Sequence, residues 1–371
     1  MARFLTIFPP CENVHLIKDV GMVPYMLHKE CGYDCTIASY KTGDYPYINT
    51  EVKGLKQVFV RKITNNATID FSIHILFNLN KIDVLQAYHL SIESVIILSF
   101  FNFFKFFGKP SKTYLKLDLN VPFNEQKFHG LKGKILRKLT SKIDLISVET
   151  KLIYDSLVKS NILGRNIYYI PNGFYDQGIK EEIEFSAKQN IILTVARIGS
   201  FPKYNEILLE AFANFSRLNF DWQLELIGPI EPPFYDYINR YFEINPHLKT
   251  RVQFIGEIVN RKVLEEKYKK AKIFVMTSRK EGFATVFLEA MKSGCTILSS
   301  AINSAYDLTD NEKYGRLFQI GNSIALTDLL LEFTSDEQRL KDNCRAVQSF
   351  VYGNFYWPLI VRKIDIVLGN N

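Results

Sequence analysis

Two carboxylates and two cations in this chain have the types and spacing to hold one charged ligand. The run SRKEGFATVFLEAMKSG, Ser278 to Gly294, puts Glu281 and Glu289 eight positions apart, with Gly282 after the first and Gly294 closing the stretch. The apolar segment KIFVMTS (272–278) precedes it, so RKEGFA forms a loop at the carboxyl end of a strand, where open α/β sheets bind ligands. A helix is predicted to start at Ala284 or Thr285 and to stop at Gly294, a good carboxyl cap. Glu281 then lies in the crevice loop, and Glu289 lies about one turn into the helix near the same mouth. The N–H groups of Phe283, Ala284 and Thr285 at that helix start form an anion site, and Gly282 lets the backbone approach a ligand closely. Amides for phosphate and carboxylates for hydroxyls suit a phosphorylated polyol. The plainer reading is a loop charge and a solvated helix face.

A second cluster weighs against the plainer reading. VARIGSFPKYNEILLEAF runs from a strand ending at Ala196 through a loop into a helix from about Asn205. Arg197 and Lys203 sit on that loop, flanking Gly199 and Pro202. Alone they read as solvated loop cations. Beside the glutamate loop of another strand in the same sheet, they read as a diphosphate clamp, with Arg as a planar fork and Lys as a point charge.

The elements that must position these groups are legible as apolar runs alternating with helical patterns, an α/β arrangement with parallel sheets. Strands are expected at 3–8, 35–39, 57–63, 83–88, 112–118, 145–148 and 167–170, and helices at about 21–31, 68–79, 92–107, 126–140 and 150–160. After IPNGF the pattern restarts, with strands at 190–196, 222–228, 251–256, 272–278, 295–300 and 315–320. The restart implies two doubly wound domains, 1–171 and 172–349. The segment YGNFYWPLIVRKIDIVL reads as a helix interrupted at Pro358, so that 350–371 returns to the first domain. The acidic run DLTDNE (307–312) reads as a surface turn.

Composition narrows the function classes. The 371 residues include 46 basic and 39 acidic side chains, a net charge of +7 that suits anionic small molecules or an anionic membrane surface. No Arg-rich block or aromatic-interleaved basic stripe points to nucleic acid. Five cysteines without a C-x-x-C pair fit a reduced, cytoplasmic protein without a zinc site. The amino terminus, MARFLTIFPP, reads as a strand and lacks a signal-peptide layout. The most apolar segment, Ser94–Lys109, has an apolar core of about 14 residues, short of the roughly 20 that a membrane-spanning helix needs. Its phenylalanine stretch, 100–107, reads from its periodicity as a helix buried against the sheet. The alternative is an interfacial patch, with Lys105, Lys109 and Lys112 near lipid head groups.

The second half resembles the nucleotide-sugar domain of retaining glycosyltransferases of the large family four, which have two facing Rossmann-like domains (the GT-B architecture). The likeness rests on a strand ending in Arg197 with Lys203 following, on Glu281 and Glu289 in EGF…LEA, on YIPNGF (169–174) and on YGRLF (314–318). It covers about 165–350; elsewhere it rests on topology and on phrases such as YLKLDLN and DLISVET. It implies a GT-B fold with a C-terminal helix crossing back to the first domain. It also implies that Glu289 holds the donor's ribose, Glu281 meets the sugar hydroxyls, and Arg197 and Lys203 neutralise the departing diphosphate. The family works without a divalent metal, and no Asp-x-Asp triplet is present here.

In the first half the family often shows a Gly-Gly pair after the first strand, lining the donor phosphates. This chain has FPPCENVHLIKDVG, with Gly21 alone, and His15, Lys18 and Asp19 as polar contacts or plain surface residues. His89 follows the fourth strand where family members often carry a His facing the acceptor, although a lone His is as often structural or exposed. Asp118 and Glu149 end later strands; they line the cleft or serve as cap and loop charges. The expectation is a cytoplasmic, retaining hexosyltransferase using a nucleoside-diphosphate sugar, UDP favoured, with no cofactor or metal. The acceptor is a glycan or lipid-linked glycan in surface-polysaccharide synthesis, with possible peripheral contact at the inner face of the cell membrane and no nucleic-acid partner. The alternatives are a sugar-nucleotide epimerase of the same fold and a non-catalytic partner subunit of a glycosyltransferase.

Overall fold

The computed structural model describes residues 1–105, 111–119 and 130–369. The chain divides into two compact units, Met1–Tyr175 with Phe355–Asn371, and Asp176–Asn354. The first unit runs β1 (Arg3–Ile7), α1 (Asp19–Cys31), β2 (Asp34–Ser39), α2 (Tyr47–Thr50), β3 (Lys56–Phe59), α3 (Ala67–Asn78), β4 (Val84–Tyr88), α4 (Ile92–Lys105), β5 (Lys112–Leu117), α5 (Gly130–Thr140), β6 (Leu145–Val148), α6 (Lys151–Ser160) and β7 (Ile167–Tyr169). The second runs β8 (Gln189–Val195), α7 (Asn205–Phe215), β9 (Gln223–Ile227), α8 (Phe234–Ile244), β10 (Val252–Gly256), α9 (Arg261–Lys270), β11 (Ala271–Met276), α10 (Thr285–Lys292), β12 (Thr296–Ser300), α11 (Asn303–Leu308), β13 (Gly315–Phe318), α12 (Ser323–Thr334) and α13 (Glu337–Asn354). The last helix, α14 (Trp357–Leu368), belongs to the first unit.

Each unit is built on one sheet, and among the described residues every pairing between these strands is parallel. The first sheet has the order β3-β2-β1-β4-β5-β6-β7, so the strand order reverses between β1 and β4. The second has the order β10-β9-β8-β11-β12-β13, reversing between β8 and β11. Such switch points open a crevice at the carboxyl ends of the two strands.

The first sheet is buried on both faces. Val23, Tyr33, Trp357 and Ile364 pack one side under α1 and α14, while Phe71, Leu98, Phe101 and Leu157 pack the other under α3 to α6. In the second unit Phe212, Leu224, Ile273 and Leu330 form one such core. Burial on both faces explains why these strands read as continuous apolar runs.

The expected strands all form, with small differences at their ends. β3 stops at Phe59 rather than 63, because it is an edge strand bonded only to β2 and its side chains are largely exposed. A 3-10 turn at Asn13–Ile17 and the single turn of α2 are too short to leave a helical period in the sequence. Phe106, Phe107 and Lys109, and residues 126–129 of the helix expected over 126–140, lie outside the described residues.

The carboxyl-terminal segment is two helices rather than one interrupted helix. Pro358 lies in the first turn of α14, where a missing N–H costs nothing. α14 packs on α1, and the Tyr33 hydroxyl donates to Asp365 at 2.6 Å. Phe174 N–H donates to the Phe355 carbonyl (3.0 Å) and Trp357 N–H to that of Phe174 (3.1 Å), which fixes the returning chain beside the IPNGF segment. The DLTDNE run closes α11 and then turns, with positive φ at Asp310, Asn311 and Glu312.

Candidate functional site

The switch point of the second sheet brings Lys203 and Glu281 together. Lys203 Nζ lies 2.5 Å from Glu281 Oε1, and Ser278 Oγ donates to the same oxygen at 2.7 Å. Both side chains are about one-fifth exposed, so the pair is desolvated on one side and open on the other. Its partners come from the loops after β8 and β11, the two strands that flank the reversal.

Those loops are bolted to each other. Thr277 Oγ1 donates to the Lys203 carbonyl (2.9 Å), Arg279 N–H to that of Pro202 (2.8 Å), and Arg279 Nε to that of Phe201 (3.1 Å). The Arg279 guanidinium also covers the Tyr204 ring at 3.3 Å and the Phe201 ring at 4.4 Å. Tyr204 itself holds a left-handed backbone, φ 49°, at the entry to α7. Gly199 is required in the same loop: its φ is +81°, and a Cβ there would lie 2.3 Å from Phe234. Its N–H donates to Asn205 Oδ1 at 2.9 Å.

Arg197 is held apart from this cluster. Its side chain is two-thirds exposed, with Nε 3.8 Å from Glu231 Oε1 in the loop after β9. The two cations are therefore not a preformed fork; Lys203 is paired with Glu281, and Arg197 is largely exposed near Glu231.

α10 starts at Thr285 with Ala284 as its N-cap, as the sequence implies, and no side chain caps it. By helix geometry the first N–H groups of α10 lack i−4 acceptors, and Phe287 N–H donates instead to the Ala284 carbonyl at 3.1 Å. Gly282 and Phe283 are half-buried in the preceding loop, Ala284 is buried and Thr285 is exposed. Glu289 is just over one turn in and faces α9: Oε2 is 3.0 Å from Lys292 Nζ, and Oε1 is 3.9 Å from Arg261 Nη2. Lys292 also contacts Glu265 at 2.9 Å; burial acts to lower its pKa, but the two carboxylates outweigh this and leave it raised. The two glutamates thus have separate polar surroundings. Among the described residues, no group of three or more His, Cys, Asp or Glu side chains is placed to hold a metal ion.

In the first unit the switch point carries aromatic and imidazole groups. Phe8 follows β1, and its ring is 5.2 Å from that of His15 and 6.0 Å from that of His89. His89 is exposed in the loop after β4, with a positive φ of 63° and its N–H donating to the Lys116 carbonyl at 2.9 Å. A non-glycine residue in this region stores strain, a pattern concentrated at functional sites. His15 Nδ1 accepts from Glu12 N–H (2.9 Å), and burial lowers its pKa. Gly21 lies inside the first turn of α1 rather than in the loop before it. A Cβ there would come within 2.0 Å of the Leu16 carbonyl, so the glycine serves helix packing against the preceding turn.

A buried ionic cluster beneath this crevice escaped the sequence reading. Lys116, at the end of β5 and fully buried, lies 2.5 Å from Glu149 Oε1 and 3.2 Å from Asp19 Oδ2. Asn172 Nδ2 donates to the same Glu149 oxygen at 2.8 Å. Burial raises the Glu149 pKa to about 7, against the pull of Lys116. Burial also acts to lower Lys116, but Glu149 and Asp19 prevail and raise it. Glu149 is therefore spent inside the unit, whereas Asp118 is exposed. The available signal was a lysine within the otherwise apolar run TYLKL, since a buried cation demands a partner.

Residues 176–347 match the family described as Glycosyl transferases group 1. Among curated proteins, the chain is 22% identical over 189 residues to the N-acetyl-alpha-D-glucosaminyl L-malate synthase of Bacillus anthracis, covering 51% of this chain and 48% of the relative. It is 28% identical over 206 residues to an alpha-1,4-N-acetyl-D-galactosaminyltransferase of Campylobacter jejuni that acts on an undecaprenol-diphosphate-linked glycan, covering 54% and 52%. The chain thus spans about half the length of the curated relatives it matches. Over its whole length it superposes on Anabaena Alr3699/HepE in complex with UDP and glucose (TM-score 0.73, 14% identity, 100% of each chain). It does so equally on a glycosyltransferase from Rickettsia africae (TM-score 0.74, 16% identity, 100% and 99% covered). These likenesses establish the two-domain GT-B fold.

Proposed function

We propose, from the match of residues 176–347 to the glycosyl transferases group 1 family, that the chain is a retaining, metal-independent hexosyltransferase. It moves a hexose from a nucleoside-diphosphate sugar, with UDP favoured, to a hydroxyl of a glycan or lipid-linked glycan in surface-polysaccharide synthesis. The observation that carries the reading is the Lys203–Glu281 pair at the β8/β11 switch point, beside the uncapped start of α10. One cation and a row of amides suit a diphosphate, while the adjoining carboxylate suits sugar hydroxyls.

The bond from the anomeric carbon to the diphosphate breaks, and a bond to the acceptor oxygen forms. The hydroxyl proton balances charge on the departing diphosphate. Lys203 stabilises that charge as it develops, and Arg197 swings in from its exposed position to join it; fixed cations and dipoles do this without a metal. Glu281 orients the sugar, Glu289 binds the ribose, and His89 meets the acceptor. UDP is favoured because a full-length structural neighbour binds it, and a lipid-linked acceptor because a relative acts on one. Such an acceptor would bring the protein to the cytoplasmic face of the cell membrane as a peripheral component. No described helix is long and apolar enough to cross a membrane.

The test is a panel of nucleotide sugars, with and without short glycan and polyprenyl-linked acceptors, in the presence of excess chelator. Transfer is expected only with acceptor, with the anomeric configuration kept and the rate unchanged by chelator. Donor conversion without acceptor would indicate an epimerase, and binding without turnover a partner subunit. Loss with chelator, restored by magnesium, would overturn the leaving-group assignment.

A further inference from the structure

The outer surface of α3, α4 and α5 has no role in the sites above, yet its residues are strongly patterned. α4 packs between α3 and α5, and the three helices cover one face of the first sheet. Their inward residues, among them Phe71, Ile75, Val95, Leu98 and Phe101, form the core expected of such a layer. Their outward residues are apolar too. On α3, Leu76 and Phe77 are exposed, Phe77 to 81%; on α4, Ile92, Ile96 and Phe103 share one helical stripe opposite the buried one; on α5, Leu131 and Ile135 do the same.

Periodicity places the phenylalanine stretch 100–107 against the sheet; of its described residues Phe101 is buried there, whereas Phe103 is exposed. Scattered exposed apolar residues are ordinary, whereas a run of them across three adjacent helices marks an interaction surface.

Charge identifies the occupant. α5 sets Lys134 and Lys138 beside Leu131 and Ile135 on the same outer face, with Arg137 adjoining, and all three are exposed. Arg61, Lys62 and Lys81, at the two ends of α3, are exposed as well. Asp70, the one charged residue of α3, is buried and held by the Tyr40 hydroxyl at 2.7 Å. On α4 only Glu93 opposes this charge among the described side chains. A second copy of the chain is disfavoured, because a two-fold contact would set this cationic face against itself.

We propose that the α3–α4–α5 face is a docking surface for an anionic lipid bilayer. Phe77, Ile92, Phe103 and Leu131 enter the head-group region, while the α5 cations meet lipid phosphates, the arrangement of interfacial amphipathic helices. The inference rests on the lipid-linked acceptor proposed above only for its purpose, and the surface is tested without any sugar nucleotide.

The full chain is sedimented with vesicles of phosphatidylcholine alone and of phosphatidylcholine with 30% phosphatidylglycerol. Binding is expected only to the anionic vesicles and should weaken with added salt. Each cation near such a surface is worth roughly fivefold in partitioning, so Lys134→Glu with Lys138→Glu should lower binding by more than tenfold. Phe77→Ser with Phe103→Ser should lower it comparably. All four positions are exposed, so circular dichroism melting of both variants should match the parent. Three results would overturn the proposal: no binding to anionic vesicles, binding indifferent to both variants, or a dimer in solution that these substitutions dissociate.

Discussion

Glu281 is held by Lys203 and Ser278, whereas Glu289 is held by Lys292 and Arg261. The difference sharpens what each substitution should do. Removing Glu281 takes a carboxylate away from the cation assigned to the diphosphate. Glu281→Ala should therefore leave affinity for free nucleoside diphosphate intact or raise it, while turnover of the sugar nucleotide falls tenfold or more. Glu289→Ala would remove the ribose contact proposed for it, a contact expected whether or not a sugar is attached. It should weaken free nucleoside diphosphate by about 1.5–3 kcal/mol, the worth of a hydrogen bond to a charged group. Titration calorimetry with UDP, alongside sugar-nucleotide turnover, measures both. Equal loss of UDP affinity in the two variants would merge the two roles and sink the assignment.

Among the elements, the β8–α7 and β11–α10 loops behave as one body because Arg279 joins them. Its backbone and Nε bond the Pro202 and Phe201 carbonyls, and its guanidinium stacks on Tyr204. Arg279→Ala should cost about 1–2 kcal/mol of stability, the sum of a partly exposed cation–π contact and a hydrogen bond. The expected loss of transfer is larger, tenfold or more, since Lys203 would no longer be fixed opposite Glu281. Arg279→Lys keeps the charge but not the planar stack and should recover little. A melting curve and a kcat measurement decide it; a rate that falls no further than stability predicts would reduce Arg279 to packing. This pairing also shows where legibility ended. The strands, the loop that carries Glu281 and the start of α10, which carries Glu289, follow from apolar runs bounded by Gly and Pro. That Lys203 meets Glu281, 78 positions away, follows from the sheet order, which local pattern does not encode. The Lys116–Glu149–Asp19 cluster was hidden for the same reason: each member reads locally as a strand or loop charge, and only the β1-β4-β5-β6 order joins them.

The two units have separate cores, and the chain's last helix completes the first unit rather than the second. From α14, Trp357, Ile360, Val361, Ile364 and Leu368 are buried in the core that α1 shares. Burying one such side chain contributes about 1.5–3 kcal/mol, so losing five approaches or exceeds the roughly 5–15 kcal/mol that holds a domain together. A chain ending at Asn354 should therefore fail to hold its first unit. The segment 176–354 would keep its own sheet, the Lys203–Glu281 pair and the start of α10. If donor recognition resides there, the shortened protein should still bind free UDP while losing all transfer to an acceptor. Limited proteolysis should then leave a resistant fragment beginning near Asp176, and calorimetry on the shortened chain should return a UDP affinity within a fewfold of the parent's. Loss of UDP binding with that fragment still folded would mean that residues of the first unit are indispensable for holding the donor, and the proposal that Glu289, Lys203, Arg197 and the α10 amides suffice for the nucleotide would have to be given up.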